Sequence, residues 1–278
     1  MFDLRSPSAK LVFASFALVI GLFLFFPIYW LITSSFKPDE ELYRVVPTVF
    51  PETFTLKNFA TAIFRGDLPL QLKNSLINST SAALLNTWLA LYAGYSFAKY
   101  RYTGRRFVMA FLIAAQMFPF GLLLITIYPA MTELGLLDTR IGLIISYIVF
   151  ALPVSTYMFY SYFSQVPDPL IEAARADGAG DLRILHQIVV PISIPAIVTV
   201  FLYSFMWSWN DLLYSMTLTV SRELRPVGPG LLLNYLNETN SDWGGAMAAS
   251  LLASLPIVII FMFLQRLFIQ GVTAGAVK

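Results

Sequence analysis

The sequence predicts an all-α integral membrane protein with six transmembrane helices and both termini on the cytoplasmic side. Three observations carry this. The 278 residues are 58% hydrophobic and only 12% charged, with a mean hydropathy of +0.71, whereas soluble domains average about 45–50% apolar and about 25% charged. Six apolar runs reach the roughly 20 residues that a spanning helix needs. Every charged residue except Asp211 lies between those runs. So little charge cannot cover this much apolar surface in water, which excludes a soluble enzyme, a disordered chain and a nucleic-acid binder. The net charge of +2 and pI of 8.7 say nothing about an acidic partner. The chain has no cysteine, hence no disulfide or thiolate metal site, and its one histidine, His186, excludes a multi-histidine metal site.

The runs are residues 11–32, 75–98, 107–128, 141–163, 192–220 and 246–264. The first is 22 residues long and ends without a small-residue cleavage site, so it reads as a retained anchor rather than a signal peptide. Tyr29 and Trp30 at its end suit the membrane interface. Orientation follows from Lys and Arg. With the N-terminus inside, the inner segments hold ten basic and five acidic residues, and the outer segments eight and ten. The sharpest cue is residues 99–106, where Lys99, Arg101, Arg105 and Arg106 fall between two spans. Gln116, Pro119 and Pro153 lie in mid-span and read as packing and kink positions. With no internal repeat, residues 1–278 read as one membrane domain.

Chemistry is sparse. The dipeptide Gly-Lys never occurs, so the chain lacks a Walker-type phosphate cradle, and neither H-E-x-x-H nor G-x-S-x-G is present. No bond-making role is expected and no catalytic residue is assigned. Relay carboxylates and histidines, common in ion-driven carriers, reduce here to Asp211. That residue admits two readings with Asn210: a contact on a solute path or gate, or a hydrogen-bonded brace between helices. The brace is favoured, because solute sites gather several convergent polar and aromatic groups.

The inner segment 164–191 carries a marked short helix. Asp168 is placed to cap it, Pro169 suits its first turn, Glu172 sits early in the dipole, and Gly178 suits the position just past its end. Ala173, Ala174 and Ala176 would let another backbone approach. Asp181 can start a second helix, and Pro191 limits it or kinks the entry to the fifth span.

Here the sequence becomes recognisable. Glu172, Ala173, Ala174, Gly178, Ile188, Val190 and Pro191 reproduce the spacing E-A-A-x3-G-x9-I-x-L-P, with Val190 for Leu. This resembles the EAA loop of ATP-binding-cassette importer permeases. Residues 209–213 (Trp-Asn-Asp-Leu-Leu), the ending 265–278 and the Leu-Lys-Asn-Phe of 56–59 are similar to the maltose-type carbohydrate permeases, in particular their shorter six-span subunit. The resemblance implies a cytoplasmic coupling helix between spans four and five, with Glu172, Ala173, Ala174, Asp177 and Gly178 meeting an ATPase. It also implies a second, different permease subunit, a dimer of ATP-binding subunits that hold ATP and Mg, and an extracytoplasmic solute-binding protein. No cofactor is expected in this chain, and its surroundings are the lipid of a bacterial or archaeal cytoplasmic membrane.

The same resemblance raises two further expectations. Thr273, Ala274, Gly275 and Ala276 of the tail would contact the ATPase subunits through their backbone. In the outer segment 221–245, Asn234, Tyr235, Asn237 and Asn240 would contact the binding protein. The implied function is translocation of a sugar, naturally a disaccharide, by alternating access. The rival reading is a self-sufficient secondary solute carrier, and the EAA spacing counts against it.

Overall fold

The computed structural model describes residues 7–236 and 241–276. The described residues are helical apart from connections and one isolated bridge between Leu236 and Ser241. In chain order the helices are α1 (Pro7–Ser35), α2 (Asp39–Leu42), α3 (Lys57–Phe64), α4 (Leu68–Lys99), α5 (Arg105–Ala115), α6 (Phe120–Glu133), α7 (Arg140–Phe163), α8 (Asp168–Ala176), α9 (Asp181–Ile184), α10 (Val190–Ile192), α11 (Ile194–Trp209), α12 (Leu213–Leu218), α13 (Val227–Tyr235) and α14 (Trp243–Ala276). A π-helical turn, Leu185–Val189, joins α9 to α10.

Among the described residues three single helical segments are long and apolar enough to cross a membrane: Lys10–Ser35, Arg140–Phe163 and Trp243–Ile269. Two bent pairs bring the number to as many as five. The pair α5 and α6 bends by 101°, and the segment Asp181–Ile192 meets α11 at 82°. The run expected at 75–98 lies inside α4, which at 32 residues has the length to span. Its composition is the difference. Gln71, Asn74, Ser75, Asn78, Ser79 and Asn86 recur at helical spacing and are buried, so this face reads polar while remaining inside the protein.

The chain forms two compact units. The first comprises Met1–Pro69 and Gly230–Leu255. In it none of the apolar window of α1 is buried, as expected of a helix that faces lipid. Its end turns polar and buried: Asn58 donates to the carbonyls of Ser35 (3.0 Å) and Lys37 (2.8 Å). Lys37 is 2% exposed, donates to the Thr48 carbonyl and lies 4.7 Å from the Trp30 ring centre. The Glu41 carboxylate gathers the loop 48–53, accepting from the Thr48 hydroxyl and the Glu52 and Thr53 amides. Burial raises its pKa, but these bonds outweigh that and hold it below the usual range.

The second unit comprises Leu70–Pro229 and Pro256–Lys278. Its cores lie along α7. One gathers Tyr95, Phe159, Phe163, Ile171, Ile184, Leu185 and Val200; the other gathers Leu143, Tyr147, Phe150, Tyr214 and Leu218. Polar ties fix the connection after α12. Asn74 donates to the carbonyls of Glu223 (2.9 Å) and Arg225 (3.0 Å) and accepts from Arg140 (2.6 Å). The Asp138 carboxylate accepts from the Val220 and Ser221 amides at 2.8 and 3.0 Å, which holds its pKa low, the Ser221 amide foremost.

Candidate functional site

The α8 loop is closed at both ends. At its C-terminal end Asp177 is the last residue before Gly178, whose φ of +83° only glycine adopts without strain. The Gly178 amide donates to Arg175 O and the Ala179 amide to Ala174 O, each at 3.0 Å. This pair is the Schellman pattern, and it satisfies carbonyls the helix would otherwise leave open. The sequence placed the terminating glycine correctly.

The start of the helix corrects one expectation. Pro167, not Asp168, occupies the capping position, and no side chain caps the helix. Asp168 is the first helical residue, and its carboxylate pairs instead with Lys99 at the end of α4, 2.7 Å away. The same Lys99 ammonium donates to Val166 O at 2.6 Å, and its side chain is only 6% exposed. The hydrogen bond and charge of Lys99 hold the Asp168 carboxyl below the usual range. A second clasp follows α8: Arg175 donates to Asp181 at 3.0 Å. Arg175 and the Tyr100 hydroxyl together lower the Asp181 pKa. Burial, and then the bond to Asp181, push the Tyr100 phenol up to about 12.

Burial decides which side α8 shows. Ile171 and Ala174 are 3% and 7% exposed and enter the aromatic core, which for Ile171 is worth roughly 1.5–3 kcal/mol. Glu172, Ala173, Ala176, Asp177 and Gly178 are exposed. Ala174 therefore leaves the set of presented residues. At i and i+3, Ile171 and Ala174 share one face, and that face anchors the helix. Downstream, the chain bends at Ser193, between Pro191 and Pro195. Tyr162 donates to the Ile192 carbonyl at the bend, 3.0 Å away. His186 holds the π turn: its Nδ1 lies 2.8 Å from Leu182 O and so donates, leaving Nε2 to accept from Tyr92 at 2.8 Å.

A second cluster surrounds Asp211, where the helix is interrupted between α11 and α12. Asp211 is 8% exposed. Its carboxylate accepts from the Tyr214 amide (3.1 Å), the Ser215 amide (2.8 Å) and the Tyr147 hydroxyl (3.1 Å). It thus satisfies two first-turn amides of α12 and ties that helix to α7. Asn210 takes no part in this brace; its amide donates to Met206 O at 2.9 Å. Asn210 and Asp211 line a cavity of about 660 Å³ with Phe120, Tyr203, Trp207 and Leu213. Its walls are mainly apolar and aromatic, and the Asp211 oxygens are already engaged.

The expected binding-protein contacts divide. Tyr235 is 2% exposed, and its hydroxyl donates to Ala62 O at 3.3 Å. A Cβ at Gly66 would fall 1.7 Å from that hydroxyl oxygen, so only glycine admits the ring. Asn234 donates to Gly66 O at 2.7 Å. Tyr235 is thus spent inside the first unit, which corrects the expectation that it is offered outward, whereas Asn234 stays exposed. Asn237 and Asn240 lie outside the described residues. In the tail, Thr273, Ala274, Gly275 and Ala276 continue α14, so their backbone is helical rather than frayed. Among the described residues no group of three or more His, Asp or Glu side chains gathers for a metal.

Sequence reasoning missed Lys99, Tyr100 and Tyr147. Lys99 served there only as an orientation signal, and nothing local links it to Asp168, 69 positions away.

This all-helical fold, with bent apolar helices and the short α8 between two longer ones, is that of an ABC-importer permease. In a solved structure of a bacterial ABC transporter involved in the import of the acidic polysaccharide alginate, one chain matches with a TM-score of 0.82 at 22% identity, covering 96% of this chain and 100% of that one. The chain belongs to the family of binding-protein-dependent transport system inner membrane components, which it matches over residues 86–274. It is 34% identical to the inner membrane ABC transporter permease protein YcjP of Escherichia coli, covering 91% of each chain. It is 31% identical to the trehalose transport system permease protein SugB of Mycobacterium tuberculosis, covering 94% of each. It is also 31% identical to the diacetylchitobiose uptake system permease protein DasC of Streptomyces coelicolor, covering 94% of this chain and 95% of that one.

Proposed function

We propose that this chain is the permease subunit of an ATP-driven, binding-protein-dependent carbohydrate importer in a bacterial or archaeal cytoplasmic membrane. The relatives named for trehalose and for diacetylchitobiose transport support a sugar, and a disaccharide in particular. In this reading residues 1–278 form one membrane domain of six spans with both termini inside, α4 and the two bent pairs each counting as one span. A second, different permease subunit completes the path. A pair of ATPase subunits supplies ATP and Mg, and an outer binding protein delivers the sugar.

The observation that carries the reading is α8 itself. It is clasped to α4 by Lys99 and Asp168, closed by Gly178, and shows Glu172, Ala173 and Asp177 outward. A helix anchored on one face and bare on the other passes a push from an ATPase cleft to the core around Phe159 and Phe163. The 82° bend ahead of α11 is placed to carry that motion into the Asp211 region, giving alternating access without bond chemistry in this chain. The end of α14, with Thr273 to Ala276, is a second ATPase contact. The connection bearing Asn237 and Asn240 meets the binding protein, with Asn234 and Tyr235 serving as its footing.

The test is purification from native membranes. We expect an ATP-binding-cassette ATPase and a second permease to accompany the chain, and Glu172→Lys to weaken the ATPase association. Sugar transport by the chain alone in liposomes would overturn the reading in favour of a secondary carrier.

A further inference from the structure

The basic run between α4 and α5 is not consumed by the fold. Lys99 is spent on Asp168 and Val166. Arg105 uses one amino group on Tyr100 O, at 2.9 Å. Arg101 and Arg106 are exposed, and among the described residues neither donates a hydrogen bond. Arg101, Arg105 and Arg106 line one open cavity of about 700 Å³ together with Tyr102, Gly104 and Phe107, and no acidic side chain lines it. Arg101 and Arg105 also line an adjoining cavity that holds Asp168 and Glu172 together with Lys99 and Arg175. Asp168 is already paired with Lys99, and Arg101 adds to the charge that holds its carboxyl low.

The surroundings of these guanidinium groups change abruptly along α5. Phe107 is 75% exposed and Phe111, one turn on, 63% exposed, so an apolar ridge runs straight away from the arginines on one helix face. A ligand matching both halves carries phosphate at one end and hydrocarbon at the other. Guanidinium forks bind phosphate oxygens in pairs, and an aromatic such as Tyr102 beside them suits the headgroup level.

We propose that Arg101, Arg105 and Arg106 form a binding site for the headgroup of an anionic phospholipid, whose acyl chains lie along Phe107 and Phe111. The site requires that residues 99–106 stand at a membrane boundary, as the reading of α4 and α5 as successive spans has it. It does not require the transported solute to be a sugar. The lipid pins the end of α4, and through Lys99 and Asp168 it steadies the start of α8.

The test reads bound lipid by mass, with no transport assay. The assembled complex is purified in mild detergent from membranes containing phosphatidylglycerol and phosphatidylethanolamine, and the lipid retained per complex is counted. R101Q/R106Q alters two exposed residues without a hydrogen bond to lose, and Arg105 stays in place to hold Tyr100. We expect retained phosphatidylglycerol to fall about tenfold or more, given roughly fivefold per basic residue near an anionic surface, with phosphatidylethanolamine unchanged. R101K/R106K, which keeps charge but not the fork, is expected to retain more than the Gln pair. Equal phosphatidylglycerol in wild type and R101Q/R106Q overturns the proposal. So does an equal loss of both lipids, or a Lys pair as depleted as the Gln pair.

Discussion

The α8 loop and the connection between α13 and α14 are both polar excursions between apolar helices, and local and remote contacts share the work differently in the two. At the C-terminal end of α8 the closures are short-range, Gly178 N to Arg175 O, Ala179 N to Ala174 O and Arg175 to Asp181, and one long tie, Lys99 to Asp168, holds its start. Between α13 and α14 the bridge of Leu236 with Ser241 is local, but the side chains that pin the connection reach far. Tyr235 rests on Ala62 across 173 positions and Asn234 on Gly66 across 168. The first can be written into nine or ten residues; the second depends on Gly66 leaving room for a ring far along the chain. A locally closed helix can move as a rigid piece, whereas a remotely pinned connection moves only with its footing.

The comparison can be broken most forcefully at Tyr235. Tyr235→Ala removes a buried ring and is expected to cost about 3 kcal/mol. A thermal-unfolding shift and faster amide exchange in residues 57–66 would record it, with ATPase association unchanged. An unchanged unfolding temperature would mean that the ring is not what pins the connection. The α8 counterpart is Gly178→Val, which forces a β-branched residue into φ +83° and is expected to cost about 1–2 kcal/mol locally. Here the outcome is the reverse: little change in unfolding temperature, but loss of ATPase association or of solute-stimulated ATP hydrolysis in the purified complex.

The smallest effects are electrostatic and sharpen the contrast. Asp168, Asp181 and Glu41 all have folded pKa values below their usual range. Their stabilisation is therefore present above the ordinary carboxylate pKa of about 4 and is lost as pH falls through the lower folded values. Amide exchange in α8 and in residues 48–53 is expected to stay flat from neutrality down to about pH 5 and to rise only below. Salt separates the two regions. At about 1 M the screening length drops to roughly 3 Å, which is expected to loosen α8, whose Asp168 side chain is 74% exposed. The loop around the buried Glu41 keeps its protection.

A different lesson comes from α1 and α7, two helices of comparable hydropathy. The apolar window of α1 is 0% buried and that of α7 is 44% buried. Composition marks both as membrane-competent, and only packing tells the uncovered helix from the core helix. The same holds for α4. Its polar residues lower its hydropathy, but their spacing from Gln71 to Asn86 puts them on a buried face, where Asn74 and Ser75 bind the connection after α12.

What the sequence determined by itself is what can be encoded within a turn or two of helix. The apolar runs, the short helix after Pro167, its stop at Gly178 and the proline-marked bend before α11 are all of this kind, because their causes are steric limits on φ and hydrogen bonds three to five residues long. Only the tertiary structure decided which groups those elements face. Ala174 turns inward because Ile171, one turn away, anchors on the Phe159 and Phe163 core. Asp168 leaves the cap because Lys99 arrives from α4, and Asp211 braces Tyr147 across 64 positions rather than its neighbour Asn210. Tyr235 is buried because Gly66 leaves room for it. Such pairings have no local signature: a carboxylate or phenol is committed by whichever donor the fold brings within 3 Å or so, and that donor is chosen by packing far away in the chain.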